Sequence, residues 1–131
     1  MMDVLQPAGW PRPKGYANGI AARGKQVYVS GMIGWDADGR FQTDDFVGQS
    51  RQALENCLAV LREAGAGPEH IVRMTWYVLD RREYLDAGAA LGAAYRDVMG
   101  RNYPAMSALQ VAGLMEERAR VEIEVTAVVP D

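Results

Sequence analysis

The chain has 131 residues and a mass of 14.4 kDa, a length typical of one domain, and we predict a single domain over residues 1–131. Its formal charge of −3 and isoelectric point of about 5.2 argue against nucleic-acid binding, which depends on cationic groups that neutralise phosphates. The one cysteine, Cys57, excludes an intramolecular disulfide framework and a cysteine-based zinc site.

The segment that opens the chain predicts neither a leader nor regular structure. Its first residues lack the pattern of a secretion signal, and no apolar run is long enough to cross a membrane, so we expect a cytoplasmic protein. Residues 6–15 contain three prolines and two glycines and should run extended and irregular. Residues 26–30, rich in β-branched and aromatic side chains, predict a strand that ends at Gly31, and a further short strand is expected around residues 19–23.

Residues 46–64 predict the first helix. Asp44 or Asp45 can cap its start, and glycines and a proline at residues 65–68 end it. Its apolar residues recur at the spacing of one helical face: Leu54, Cys57, Leu58 and Leu61. Cys57 lies on this stripe, so we interpret it as a core residue rather than a nucleophile.

A strand and a second helix follow. Residues 71–79 are rich in Val, Thr, Trp and Tyr and predict a strand. Asp80 can cap a helix that runs to about Val98. Gly88 and Gly92 inside this helix each cost about 1 kcal/mol relative to alanine. They indicate either the close approach of another backbone or a helix that tolerates them.

Two more strands complete the pattern, at residues 103–111 and 119–129. The second alternates strictly, with Val121, Ile123, Val125 and Ala127 between Arg120, Glu122, Glu124 and Thr126. Such alternation predicts one core face and one polar face. The order of strands and helices, without internal repeat or linker, predicts an α+β fold.

Few side chains carry a signature of catalysis. His70 is the only histidine, so a hydrolytic triad has no support and we interpret it as an ordinary surface or loop residue. No metal or cofactor motif is recognisable. Glu122 and Glu124 point the same way about 7 Å apart, and on a buried face their repulsion and desolvation would raise one pKa toward the range of a general acid or base. The alternative is a solvated face in which Arg120 offsets their charge.

Five short segments, in order along nearly the whole chain, form a recognisable set. They are Gly15-Tyr16-Ala17-Asn18-Gly19; Val27-Tyr28-Val29-Ser30-Gly31; Gln49 with Gln52-Ala53-Leu54-Glu55-Asn56; Tyr103-Pro104-Ala105-Met106-Ser107; and Val121-Glu122-Ile123-Glu124. Together they resemble the RidA (YjgF) family of reactive-intermediate deaminases, which hydrolyse imines and enamines. Each segment alone is a weak signal, whereas five in register are strong.

The resemblance implies both a fold and a site. The fold would be a chorismate-mutase-like α+β domain, with a mixed sheet packed by two helices, that forms a homotrimer around a central barrel. A cleft between subunits would bind a small molecule without metal or organic cofactor. The family's cleft residues correspond here to Glu122, which would activate the attacking water, and to substrate-contacting positions at Tyr16, Ser30, Gly31, Met106 and Ala108.

Three positions depart from the family's pattern. Where the deaminases have an arginine that pairs with the substrate carboxylate, this chain has Met106, and methionine cannot make that bidentate contact. Losing such a pair costs about 2–5 kcal/mol in binding, so imines of ordinary amino acids are expected to be poor substrates. Ala108 stands where cysteine is frequent, and Gly88 stands where asparagine is common.

Three functions are compatible with these residues. The first is hydrolysis of an imine or enamine on a small metabolite that is not anchored by the usual arginine–carboxylate pair. The second is a non-catalytic trimer of the same fold that binds a small ligand or has a regulatory role. The third is the endoribonuclease or translation-inhibitor activity ascribed to some relatives, which the acidic charge disfavours.

Overall fold

The computed structural model describes residues 2–131. Within that range the strands are β1 (Met2–Leu5), β2 (Gly19–Ala22), β3 (Lys25–Ile33), β4 (Ile71–Val78), β5 (Ala105–Gln110) and β6 (Val121–Val129). The helices of the same range are α1 (Phe46–Glu63), α2 (Arg81–Asp86) and α3 (Gly88–Met99), and a single 3-10 turn, Pro68–His70, precedes β4. None of the helices in this part of the chain is long and apolar enough to cross a membrane.

Four strands form one mixed sheet in the order β3-β6-β4-β5. Strand β6 runs antiparallel to both β3 and β4, whereas β4 and β5 are parallel. Strands β1 and β2 form a separate antiparallel pair, and Ala17 bridges to Ala105 at the start of β5. The predicted α+β class with a mixed sheet is confirmed.

The alternation of the last strand separates a buried face of the sheet from an open one. Four alternate apolar residues of β6 are each no more than 2% exposed and belong to the core that α1 covers: Val121, Ile123, Val125 and Ala127. Glu122 and Glu124, between them, are half-exposed on the opposite face. The apolar stripe predicted for α1 is buried against this core.

The start of α1 distinguishes the two candidate caps. The side chain of Asp45 accepts a hydrogen bond from the N–H of Gly48 at 2.8 Å, which makes Asp45 the N-cap. Asp44 instead pairs with Arg118 at 2.8 Å, on the surface. Asp45 therefore stabilises the start of α1, while Asp44 links the helix to the segment before β6 through its ion pair with Arg118.

Two amide side chains of α1, Gln49 and Asn56, bind main-chain groups of the neighbouring segments. The fully buried Gln49 donates to the carbonyls of Thr43 and Arg118 at 3.1 and 3.0 Å, and accepts from the N–H of Arg120 at 2.8 Å. Asn56 likewise donates to two carbonyls at and just beyond the end of β3. These two amides, part of the family resemblance, have structural roles.

The helices and the first strand differ from the prediction. The second helix is divided at Ala87, so three helices rather than two pack on the sheet. Ala87 keeps near-helical angles of φ −73° and ψ −16°, and the low helix propensity of Gly88 beside it accounts for the break. Strand β1 was not predicted, because four residues are too few to show a period and pairing with β2 holds them.

Candidate functional site

Glu122 lies near the start of β6, on the open face of the sheet opposite α1. Its register partners are Ile33 on β3 and Tyr77 on β4. The side chain is half-exposed, and the ion pairs and hydrogen bonds within residues 2–131 involve other groups. An ionised carboxylate of this kind keeps all its acceptor capacity for water or a ligand.

Gly31 makes room for the Glu122 side chain. Strand β3 is irregular between Val29 and Met32, and Gly31 lies inside this irregularity. A Cβ placed on Gly31 would lie 2.6 Å from Cδ and 2.8 Å from Cγ of Glu122, closer than real contacts allow. The structure thus brings two of the predicted residues together, with Gly31 positioning the carboxylate.

The same face carries a second glutamate with a fixed partner. The Tyr77 hydroxyl donates a hydrogen bond to Glu124. This bond and the negative charges nearby raise the pKa of Tyr77, so the phenol remains a proton donor. Ser30 lies in a shallow depression of this face that Glu124 also lines. Sequence reasoning assigned no role to Tyr77, although its place in an alternating strand was an available signal.

Tyr16 and Met106 lie on the other side of the sheet. They line one cavity of about 410 Å³, beside the α2–α3 segment. Its remaining walls are formed mainly by aromatic residues and glycines: Trp76, Tyr84, Gly88, Gly92, Tyr95 and Tyr103. Ala108 shares the Met106 face of β5 and is exposed to solvent.

The register of β5 decides how the predicted site divides. Met106 and Ala108 pair with residues of β4 that are buried on the helix side. Tyr77, one residue along β4, lies opposite Glu122. Within one chain, the sheet therefore separates Glu122, Ser30 and Gly31 from Tyr16, Met106 and Ala108.

Gly88 and Gly92 enlarge the cavity. A Cβ on Gly88 would meet no atom within 4 Å, and one on Gly92 would meet only Nη1 of Arg96 at 3.3 Å. Within residues 2–131 no other backbone approaches them. Their missing side chains leave open space beside aromatic walls, a feature that two glycines four residues apart next to tyrosines could have signalled.

Arg120 does not offset the glutamates of β6. Its guanidinium donates to Glu83 on α2 at 2.7 Å, and this bond raises the Arg120 pKa. The alternation of burial continues through Ala119 and Arg120, but Glu83 of α2 engages the Arg120 side chain. The expected compensation on the polar face is therefore wrong.

The remaining candidate nucleophile and base have structural roles. Cys57 is fully buried, and desolvation raises its pKa to about 12, which suppresses the thiolate and confirms a core residue. His70 accepts a hydrogen bond at Nδ1 from the N–H of Gly67 at 2.9 Å, within the turn before β4. Among the described residues, no three His, Cys, Asp or Glu side chains gather as a metal site requires.

The chain matches known proteins over nearly its whole length. Residues 11–129 match the family model described as Endoribonuclease L-PSP. A RutC family protein of Synechocystis sp. is 34% identical, over 98% of this chain and 98% of that protein. The 2-iminobutanoate/2-iminopropanoate deaminase of Salmonella typhimurium is 32% identical, over 86% of each chain.

Solved structures share the architecture. A protein of unknown function of the conserved Rid protein family from Yersinia pestis is 29% identical and superposes with a TM-score of 0.83 over 98% of both chains. RidA from an Antarctic Psychrobacter species is 27% identical, with a TM-score of 0.70 over 97% of this chain and 99% of that one. These likenesses extend to the mixed sheet and its three helices.

Proposed function

Since the chain belongs to the RidA (YjgF) family, we propose that it hydrolyses an imine or enamine of a small metabolite without metal or organic cofactor. The proposal takes residues 1–131 as one cytoplasmic domain. The observation that carries it is the half-exposed Glu122 carboxylate, which lies against Gly31 without a partner among the described residues. Such a carboxylate can accept a proton from an attacking water. The reaction class is supported by the Salmonella relative named as an imine deaminase.

In the proposed reaction, Glu122 is a general base and then a general acid. It accepts a proton from water while the water oxygen bonds to the carbon of the protonated imine, and the C=N π electrons move to nitrogen. Glu122 then returns this proton to nitrogen, the C–N bond breaks with its electron pair on ammonia, and the hydroxyl proton is released as C=O forms. Iminium and water thus give a carbonyl compound, ammonia and a proton. An enamine is first protonated on carbon, which gives the same iminium ion.

A complete site needs residues from both faces of the sheet, which a homotrimer around a central barrel would supply at its subunit clefts. One copy would offer Glu122 with Ser30 and Gly31, and its neighbour would offer Tyr16 with Met106 and Ala108. The open face also presents Tyr28, which is 70% exposed. Light scattering should give three times the chain mass of 14.4 kDa. A stable monomer at micromolar concentration would contradict the proposed site.

The substrate class is tested by following ammonia release. Imines generated from alanine or leucine should be hydrolysed little faster than in buffer, because Met106 offers their carboxylate no cation. A panel of imines and enamines without an α-carboxylate should include a substrate with enzyme-dependent release. Met106→Arg should gain activity on the alanine-derived imine. Efficient hydrolysis of that imine by the wild type would contradict the substrate class, and no release across the panel would contradict the hydrolase.

Met106 also favours a second function, in which the same fold binds a small ligand without converting it. Loss of the carboxylate anchor removes a contact that orients an imino acid for attack. A ligand that binds with no ammonia released, in a trimer with Glu122 intact, would support this second function over the first.

A further inference from the structure

The cavity that contains Tyr16 and Met106 has an unusual combination of charge and aromatic surface. Its lining includes two cationic residues, Lys14 and Arg96, and no carboxylate. The other polar groups of the lining are tyrosines and a tryptophan. A cavity with this lining favours a ligand that is both apolar and negatively charged.

The two cations have no acidic partner within the described chain. The ion pairs found in residues 2–131 involve Arg51, Arg82, Arg118 and Arg120. Gly88, Gly92 and Arg96 are four residues apart, so they follow one another on one face of α3. The Arg96 guanidinium folds back over Gly92, where an added Cβ would lie 3.3 Å from Nη1. Gly92 therefore makes room for an unpaired guanidinium at the cavity.

The aromatic wall holds an unsatisfied hydrogen-bond donor. The Trp76 ring, 2% exposed, packs edge-to-face on Tyr84 with centroids 6.1 Å apart. Among the described residues, its indole N–H is the buried side-chain group with no hydrogen-bond partner. Tyr95 and Tyr103 stack on each other at 5.5 Å on the same lining. The indole N–H of Trp76 is itself closed to solvent, so Trp76 contributes aromatic surface to the cavity and no donor to a ligand.

We propose that this cavity binds an aromatic carboxylate, with the acid group on Arg96 and Lys14 and the ring against Trp76 and Tyr84. The proposal rests on the proposed function only where it takes this ligand as the substrate. Met106 leaves the carboxylate position of an ordinary imino acid without a cation. Arg96 binds the acid group at a different place in the cavity from Met106. The ligand's carboxylate is therefore not attached to the carbon that reacts.

Binding is tested by NMR titration of the full chain with phenylacetate and with its uncharged isostere phenylacetamide. The three tryptophans give separate indole N–H signals, so Trp76 reports the cavity while Trp10 and Trp35 are internal controls. Phenylacetate should shift the Trp76 signal with a dissociation constant of roughly 1 mM or below. Phenylacetamide should bind about 10-fold more weakly. Equal affinity for the two probes, or no shift of Trp76, would overturn the proposal.

Two variants test separately the contribution of the Arg96 charge and that of the open space at Gly88. Arg96→Gln should weaken phenylacetate about 10-fold and leave phenylacetamide unchanged, whereas Arg62→Gln, an exposed cation of α1 outside the cavity, should change neither. Gly88→Leu should fill the cavity and abolish binding of both probes, with Ala89→Leu on the exposed surface as its control. Leucine favours the helix over glycine, so folding should persist, as circular dichroism would verify.

These measurements are independent of turnover. Phenylacetate binding that depends on Arg96 supports the proposal even where no imine is hydrolysed, which would count against the proposed hydrolase alone. Ammonia release from a substrate that is unaffected by Arg96→Gln would overturn the identification of the cavity's ligand as the substrate and leave the hydrolase intact.

Discussion

On the face of the sheet that α1 covers, the β6 residues are buried, the Cys57 thiol is held protonated, and the amide of Gln49 has its partners. On the opposite face of the same strand, Glu122 is half-exposed, lacks a partner among the described residues, and has a glycine beside it. Both environments come from consecutive residues of one strand. The covered face buries apolar side chains and pairs the Gln49 amide, whereas the open face leaves a carboxylate available.

Because successive side chains of a strand point to opposite faces, residues that stabilise the fold alternate along β6 with residues available for chemistry. Changes on the open face should alter turnover and leave the free energy of unfolding nearly unchanged. Changes to the residues that α1 buries should do the reverse; the cavity that Met106 lines lies outside this comparison. An open-face variant that lowers stability, or a variant beneath α1 that lowers turnover per folded molecule, would contradict this comparison.

Replacing Glu122 should have the largest effect on turnover. Glutamine keeps the shape and an acceptor oxygen but cannot take a proton, so Glu122→Gln should lower turnover about 10²- to 10⁴-fold. Glu124→Gln is the matched control and should do much less, because Tyr77 already occupies that carboxylate. Steady-state kinetics on the identified substrate measures both. Equal turnover in wild type and Glu122→Gln would remove the mechanism and favour ligand binding.

Filling the space at Gly31 should displace the carboxylate without removing it. The added methyl of Gly31→Ala would overlap the Glu122 side chain, whose end can move away, so the fold should persist. A displaced base should cost about 10²-fold in turnover. Gly113→Ala, where an added Cβ meets no atom within 4 Å, is the control. Unchanged kinetics in Gly31→Ala would show that the position of Glu122 does not matter.

Removing the Gln49 amide should lower stability and spare the chemistry. Gln49→Leu leaves one N–H and two carbonyls unpaired, which should lower the free energy of unfolding by about 3 kcal/mol or more in urea titrations. Gln42→Leu, an exposed glutamine with one surface hydrogen bond, should cost less than about 1 kcal/mol. Turnover per folded molecule should be unchanged in both. A turnover loss in Gln49→Leu comparable to that of Glu122→Gln would contradict the division.

Cys57 should give the smallest effect, a dependence of stability on alkaline pH. Burial raises its pKa from the ordinary 9.0 to about 12 in the folded state. Above pH 9 the unfolded chain loses this proton first, so folding stability falls as pH rises, by about 1.4 kcal/mol per pH unit for one group. Urea titrations between pH 8 and about 10 should therefore show a steeper decline in wild type than in Cys57→Ala. Parallel declines would mean that the thiol does not titrate as its burial requires.

Local patterns anticipated much of the fold. The strict alternation of residues 121–127 and the apolar stripe of α1 are present as predicted, because strand and helix periods are properties of neighbouring residues. The resemblance to the RidA family, drawn from five short segments, was confirmed by relatives covering nearly the whole chain. The interruption at Ala87 escaped prediction, because the helical pattern continues through it.

The candidate site was anticipated less completely. Sequence named Glu122 and Gly31 but not the contact between them, since the two residues meet only when β3 pairs with β6. It paired Arg120 with the glutamates of its own strand, whereas its partner Glu83 comes from α2, which is distant in sequence. It also missed the cavity role of Trp76 and Arg96, because that cavity forms between elements distant in sequence.

The sequence by itself determined the helix and strand periods, the cap at the start of α1 to within two aspartates, and family membership. Tertiary structure decided that Met106 and Glu122 lie on opposite faces, that Gly31 accommodates a carboxylate, and that Gly88 lines a cavity. The physical reason is the range of the interactions. Hydrophobic periodicity acts through residues a few positions apart, whereas strand register and cavity shape depend on which distant segments pair.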